Sequence, residues 1–238
     1  MTSKNKEIWG KSHIGYKRDK NEDRFLIKEL PGIIILVVAD GLGGTPGGEI
    51  AAQIAIDAFQ EYKFSKENLE KDLKRALMKA EKQIHKVNKN PGLEGMGTTV
   101  TAAALYKSKI FWIHVGDSRI YLLQDKGIKQ ITTDHTFIRE LIDDGTLTPA
   151  QAETHPLRNV LDQCVGCDEI QPDNGVFHIE KNNRLLLCTD GLTKHLSDLQ
   201  IESILKANPT QEAAQLLIQA ALKTGGTDNV TLIVKEFY

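Results

Sequence analysis

The chain alternates short apolar runs with polar breaks. Ile33-Ile34-Ile35-Leu36-Val37-Val38-Ala39 is unbroken and stops at Asp40-Gly41, and Leu185-Leu186-Leu187-Cys188 stops in the same way before Asp190-Gly191. Runs this short, bounded by Gly, Asp or Asn, predict β-strands. The same signature predicts strands over 8–13, 24–28, 33–39, 98–105, 110–115, 118–124, 128–132, 184–188 and 229–235. Lys107-Ser108-Lys109 and Asp125-Lys126-Gly127 read as hairpin turns between neighbouring runs.

Elsewhere the apolar period lengthens to that of a helix. After Gly47-Gly48, Ile50, Ile54 and Ala58 fall on one face, with Ala51 and Ala55 beside them. Ser65 is placed to cap a long helix whose apolar positions are Leu69, Leu73, Leu77, Ala80, Ile84 and Val87. Pro209-Thr210 opens another helix, which Gly225-Gly226 ends. Helices and strands do not alternate one for one, because four strands come in succession. That grouping predicts an α+β fold of antiparallel sheets covered by helix pairs rather than a doubly wound parallel sheet. Residues 134 to 173, broken by Gly145, Pro149 and Pro156, read as an irregular excursion that overhangs a site. With no linker or repeat, the expectation is one domain over 1–238.

Composition narrows the function. Thirty Lys and Arg against 32 Asp and Glu leave a formal charge of −2, so nucleic acid is not an expected partner. The apolar run at 33–39 is far too short to span a bilayer, and the polar first residues carry no secretory h-region. Three cysteines cannot build a disulfide framework, and the odd count suits a reducing compartment. Cys164-Val165-Gly166-Cys167 has redox-motif spacing, but no second pair completes a zinc site. The expected location is the cytoplasm, away from membranes.

The acids at the ends of apolar runs form a set. Glu22 and Asp23 precede Arg24-Phe25-Leu26-Ile27, Asp40 follows 33–39, Asp117 follows 111–116, Asp190 follows 185–188, and Asp228 precedes Val230. One Asp-Gly is more simply a turn, but turn chemistry does not explain the recurrence. Carboxylates gathered in one cleft repel unless cations sit among them, and oxygen-rich sites suit Mg²⁺ or Mn²⁺. Gly41 lets the backbone approach an ion and offer its carbonyl. Arg18, four residues before Glu22, suits bidentate capture of phosphate oxygens beside such ions.

The motifs GYKRDKNED, VVADGLGG, GTTVTAAAL, HVGDSRIYLL, TTDHT, LLCTDGLT and GGTDNVTLIV occur in the order found in metal-dependent serine/threonine protein phosphatases of the type 2C class. The chain resembles the compact bacterial branch of that family from about Gly15 to Val234. The resemblance implies a four-layer αββα sandwich with a mobile flap over 134–173. It also implies two Mn²⁺ or Mg²⁺ ions, with Asp40 bridging them and the Gly41 carbonyl adding a ligand. Asp190 and Asp228 would hold the first ion, Glu22 would help hold the second, partly through water, with Asp23 supporting it, and Asp117 with Asp190 would form a weaker third site. Arg18 would bind the phosphate, and a metal-activated hydroxide would attack phosphorus in line without a covalent intermediate. Phosphoproteins made by a serine/threonine kinase would be the substrates, and a monomer is the default state.

Where some members carry a His after the bridging Asp-Gly, this chain has Leu42, so the leaving-group acid is unassigned. His135 is a candidate, with a structural role favoured over it. Two rivals remain. The Gly-rich stretch 41–49 imitates a dinucleotide loop, but Pro46 stands where the third glycine belongs. A pseudophosphatase that binds phosphoproteins without turnover would be expected to have lost a metal carboxylate, yet Asp40, Asp190 and Asp228 are all present.

Overall fold

The computed structural model describes residues 7–43, 47–152, 154–158, 160–167 and 169–238. Residues 44–46, part of the dinucleotide-like stretch, and the first six residues lie outside them. The elements in order are β1 (Ile8–His13), β2 (Arg24–Leu30), β3 (Ile33–Ala39), α1 (Gly48–Glu61), α2 (Leu69–Val87), β4 (Val100–Tyr106), β5 (Lys109–Val115), β6 (Arg119–Gln124) and β7 (Gly127–Gln130). They continue with α3 (Phe137–Asp143), α4 (Pro149–Ala152), β8 (Asp173–His178), β9 (Arg184–Cys188), α5 (Asp190–Thr193), α6 (Asp198–Ala207), α7 (Thr210–Lys223) and β10 (Val230–Glu236).

The strands form two five-stranded antiparallel sheets, ordered β1-β10-β9-β6-β7 and β2-β3-β4-β5-β8. Strand alternation explains the apolar runs. Along β3, Ile35 and Val37 enter a core shared with α1 and α2, whereas Leu36 and Val38 enter the core between the sheets. In β9, Leu185 and Leu187 face that central core, and Leu186 and Cys188 pack beneath α6 and α7. A strand buried on both faces must be apolar at every position, so β3 and β9 read as continuous runs. The result is the expected αββα sandwich.

Several local expectations need correction. Asn68, not Ser65, occupies the N-cap position of α2, and the Ser65 amide instead donates to the Asp72 carboxylate at 2.8 Å. Ile50 is 37% exposed, and Ala51, Ala52, Ala55 and Phe59 form the buried face of α1. β8 carries no continuous apolar run, because it is an edge strand paired only with β5 and buries little of its surface. Cys164 and Cys167 are joined as a local disulfide, while Cys188 is buried and free. The turn holding that pair is fixed by other groups: the Gly166 amide donates to Glu81, and Asn88 donates to the Gly166 carbonyl.

Candidate active site

Five connections meet at one end of the sandwich: the loop before β2, the residues after β3, the β5–β6 link, the start of α5 and the residues before β10. They line a cleft of about 450 Å³ that contains Arg18, Glu22, Asp40, Gly41, Asp117, Asp190 and Asp228. Asp40 continues the strand parity of Leu36 and Val38, which carries it from the inter-sheet core to the cleft floor. Its backbone is clamped on both sides. The Asp40 amide donates to Thr99 Oγ1 at 3.1 Å, and its carbonyl accepts from Thr98 Oγ1 at 2.9 Å and from the Thr99 amide at 2.8 Å. Thr99 Oγ1 in turn shares a hydrogen bond with Ser118 Oγ, next to Asp117.

The two Asp-Gly pairs share a second logic. A methyl group on Gly41 would collide with the backbone of Gly48, and one on Gly191 would collide with the Asn229 carbonyl. Each glycine therefore lets a second stretch of chain cross directly behind its aspartate. Neither crossing was legible in the turn signal itself.

Asp23 departs from the rest of the set. It is buried at 2% exposure behind the cleft rather than on its wall, and accepts a hydrogen bond from Thr189 Oγ1 at 2.9 Å. Burial first, and then the fields of Asp190 and Asp228, push its carboxyl up to about 7 against the hydrogen bonds from Thr231 and Thr189. His135 also stands off the cleft. Its ring is boxed in by the Gly116 amide, Asp173 and the His114 ring, so it is committed to holding the base of the excursion. His135 lines a neighbouring cavity rather than the cleft, in keeping with a structural role.

Burial, followed by the fields of Asp23, Asp190, Asp117 and Asp228, raises the Asp40 pKa well above the carboxylate range. Asp117 is raised as well, by burial and then by Asp190. Asp228 goes the other way: hydrogen bonds and charges from Lys194 and Arg18 outweigh its burial and lower it. Anionic acids this close demand more positive charge than two side chains supply. Asp190 Oδ1, on the cleft wall, is buried without a hydrogen-bond partner, which fits an oxygen donor to a cation. Oxygen donors of this kind fit hard divalent ions. Among the described residues, however, no three acids converge as a ready-made metal shell, and Arg18 and Lys194 stand between them.

Two site residues escaped the sequence reading. Asn229 accepts from the Glu22 amide at 2.8 Å and donates to the Ile14 and Lys20 carbonyls, stitching the Arg18 loop to β10. Lys194 bonds both Asp190 and Asp228, the latter at 2.9 Å. Its i,i+4 spacing from Asp190 was the available signal. A second cavity of about 790 Å³ adjoins the first, shares Asp117, Asp190 and Lys194, and is roofed by Ile138, Arg139 and Arg158 of the excursion.

The protein phosphatase 2C family model matches residues 9–224. The serine/threonine protein phosphatase PstP of Mycobacterium tuberculosis is 37% identical over 229 residues, 95% of this chain and 44% of PstP, so the chain spans less than half of that relative. Protein phosphatase PhpP of Streptococcus pneumoniae is 34% identical over 92% of both chains. The crystal structure of the PstP catalytic domain in complex with two manganese ions superposes with a TM-score of 0.86 at 34% identity, covering 96% of each chain.

Proposed function

We infer the activity from one premise: this chain belongs to the protein phosphatase 2C family. On that premise it is a metal-dependent serine/threonine protein phosphatase, a phosphoric monoester hydrolase acting on phosphoproteins. The observation that carries this reading is the single cleft that brings Asp40, Asp117, Asp190 and Asp228 together beside Arg18. The intact set of acids favours turnover over a pseudophosphatase that only binds.

Two divalent ions fit here, Mn²⁺ as in the PstP structure or Mg²⁺. Asp40 with the Gly41 carbonyl, Asp190 and Asp228 would hold them together with Glu22, and Asp117 offers a weaker third place. Asp23 would act from behind, through its bond to Thr189 next to Asp190. When bound, the ions supply hydroxide near neutral pH and neutralise charge on phosphoryl oxygens. The protein's own part is to hold and orient. Arg18 lies 2.8 Å from Asp228 and is 38% exposed, so its guanidinium is fixed at one edge yet free to clamp a phosphate at the other. The Thr98–Thr99–Ser118 bonds keep Asp40 and Asp117 in register. The larger cavity under the excursion, about 790 Å³ with Arg139 and Arg158 on its wall, would receive the flanking peptide.

Substrates phosphorylated by a serine/threonine kinase, a signalling role, a monomeric state and a cytoplasmic location complete the proposal. Among the described residues no helix is long and apolar enough to cross a membrane.

Hydrolysis of p-nitrophenyl phosphate is expected with added Mn²⁺ and not in excess chelator. Equal release under both conditions refutes the metal-dependent reading, and no release under either favours the binding module. Arg18→Ala is expected to raise KM for that substrate about tenfold with a smaller change in kcat, since a charge-assisted contact to phosphate is lost. Unchanged steady-state parameters would take Arg18 out of the site.

A further inference from the structure

Lys194 is the one described cation that bonds two of the cleft acids, Asp190 and Asp228, at once. Asp228 is thereby shared out: its Oδ1 faces Arg18 at 2.8 Å and its Oδ2 faces Lys194 at 2.9 Å. The Lys194 side chain is only 29% exposed, so the ammonium has given up much of its water for these carboxylates. The phosphate-binding arginine has an evident task at the cleft edge. A lysine seated on the acids themselves has none in the mechanism above.

We propose that Lys194 is a resident counter-cation, seated on the carboxylate oxygens that the first divalent ion must take, so that metal loading is an exchange of ammonium for metal. The proposal rests on the reading of Asp190 and Asp228 as ligands of that ion. A divalent ion carries twice the charge of an ammonium and accepts several oxygens, so the exchange runs towards the metal when enough is present. Until then Lys194 keeps Asp190 and Asp228 from repelling one another. Two consequences follow: the lysine stabilises the protein without metal, and it weakens the apparent affinity for the first ion. The ammonium contacts Asp190 and lies 2.9 Å from Asp228 Oδ2, so it competes as a cation for those oxygens. The displaced side chain has somewhere to go. Lys194 already lines the larger cavity, whose wall also carries Asp117 and Asp134.

Calorimetric titration of chelator-stripped protein with MnCl₂ tests this, using wild type, Lys194→Gln, Lys194→Arg and Asp190→Ala. Lys194→Gln is expected to bind the first ion about tenfold more tightly, corresponding to about 1.4 kcal/mol. Its melting temperature in chelator should fall below that of wild type, and the gap should close at saturating Mn²⁺. Lys194→Arg, which keeps the charge, should stay close to wild type. Equal or weaker Mn²⁺ binding by Lys194→Gln overturns the exchange, as does a gain in Lys194→Arg as large as that in Lys194→Gln. Should Lys194→Gln be recovered only with Mn²⁺, the rate of ion loss to excess chelator decides: slower loss than wild type supports the exchange, and equal or faster loss overturns it. Undiminished uptake by Asp190→Ala means that the ligand reading has failed and takes the exchange with it. Lost uptake in Asp190→Ala with unchanged Lys194→Gln overturns the exchange alone.

Discussion

Asp190→Ala is expected to lose turnover while the protein still folds. Asp190 lies where the two cavities meet, its Oδ1 is buried without a partner, and its charge raises the pKa of Asp40, Asp117 and Asp23. Removing it takes away a like charge from a crowded set, so the fold loses little and part of the repulsion is relieved. Catalysis loses a ligand and the electrostatic support that comes with it, and kcat/KM should fall by at least about 10³-fold. Two measurements separate these effects. Circular dichroism should show wild-type secondary structure, and a thermal melt should show that Mn²⁺ no longer stabilises the variant as it does the wild type. Wild-type rates in Asp190→Ala would refute the metal assignment.

Gly191→Ala is the second large effect, and it adds only a methyl group. That methyl collides with the Asn229 carbonyl, a rigid backbone atom beside Asp228. Something must shift, and the candidates are the start of α5, carrying Asp190, and the residues before β10, carrying Asp228. Forced overpacking of this kind costs about 1–3 kcal/mol. In a chain of 238 residues a loss of about 2 kcal/mol lowers the melting temperature by roughly 4–8 °C. Displacing ligands by even an ångström can cost about 10²-fold in rate, so turnover should fall further than stability suggests. The check is activity well below the melting transition. A variant that melts early but turns over normally in the cold would show that the crossing serves the fold alone.

Legibility in the sequence followed burial. β3 and β9 end where their apolar runs do, because both of their faces pack on something. β8 escaped because Asp173–His178 lies on an edge, where backbone pairing to β5 makes a strand without an apolar run. α6 has its signal at its start, where Ser197 and Gln200 form a complete capping box. On α1 the small residues Ala51, Ala52, Ala55 and Ala58 are buried with Ile56 and Phe59, while the bulkier Ile50 is exposed.

At the site, the acids at strand ends were readable one by one, since a polar residue closing an apolar run is conspicuous. Their roles were not equal, and the pattern of apolar runs alone did not separate them. Asp23 turns inward towards Thr189 while Glu22 beside it faces the cleft. Lys194 and Asn229 carry no apolar signature at all. They matter through partners 34 and 207 residues away, Asp228 and Glu22, which only the folded chain brings near.

The pairing of β1 with β10 makes the cleft depend on a contact between strands far apart in sequence. Tyr16 bonds to Gly226, His13 faces Val230, and Asn229 fastens the loop that carries Arg18. A nascent polypeptide still missing residues beyond 225 has an unpaired first strand, an untethered arginine and no Asp228. Arg18 and Asp228 therefore come side by side only once the first strand and the last have paired.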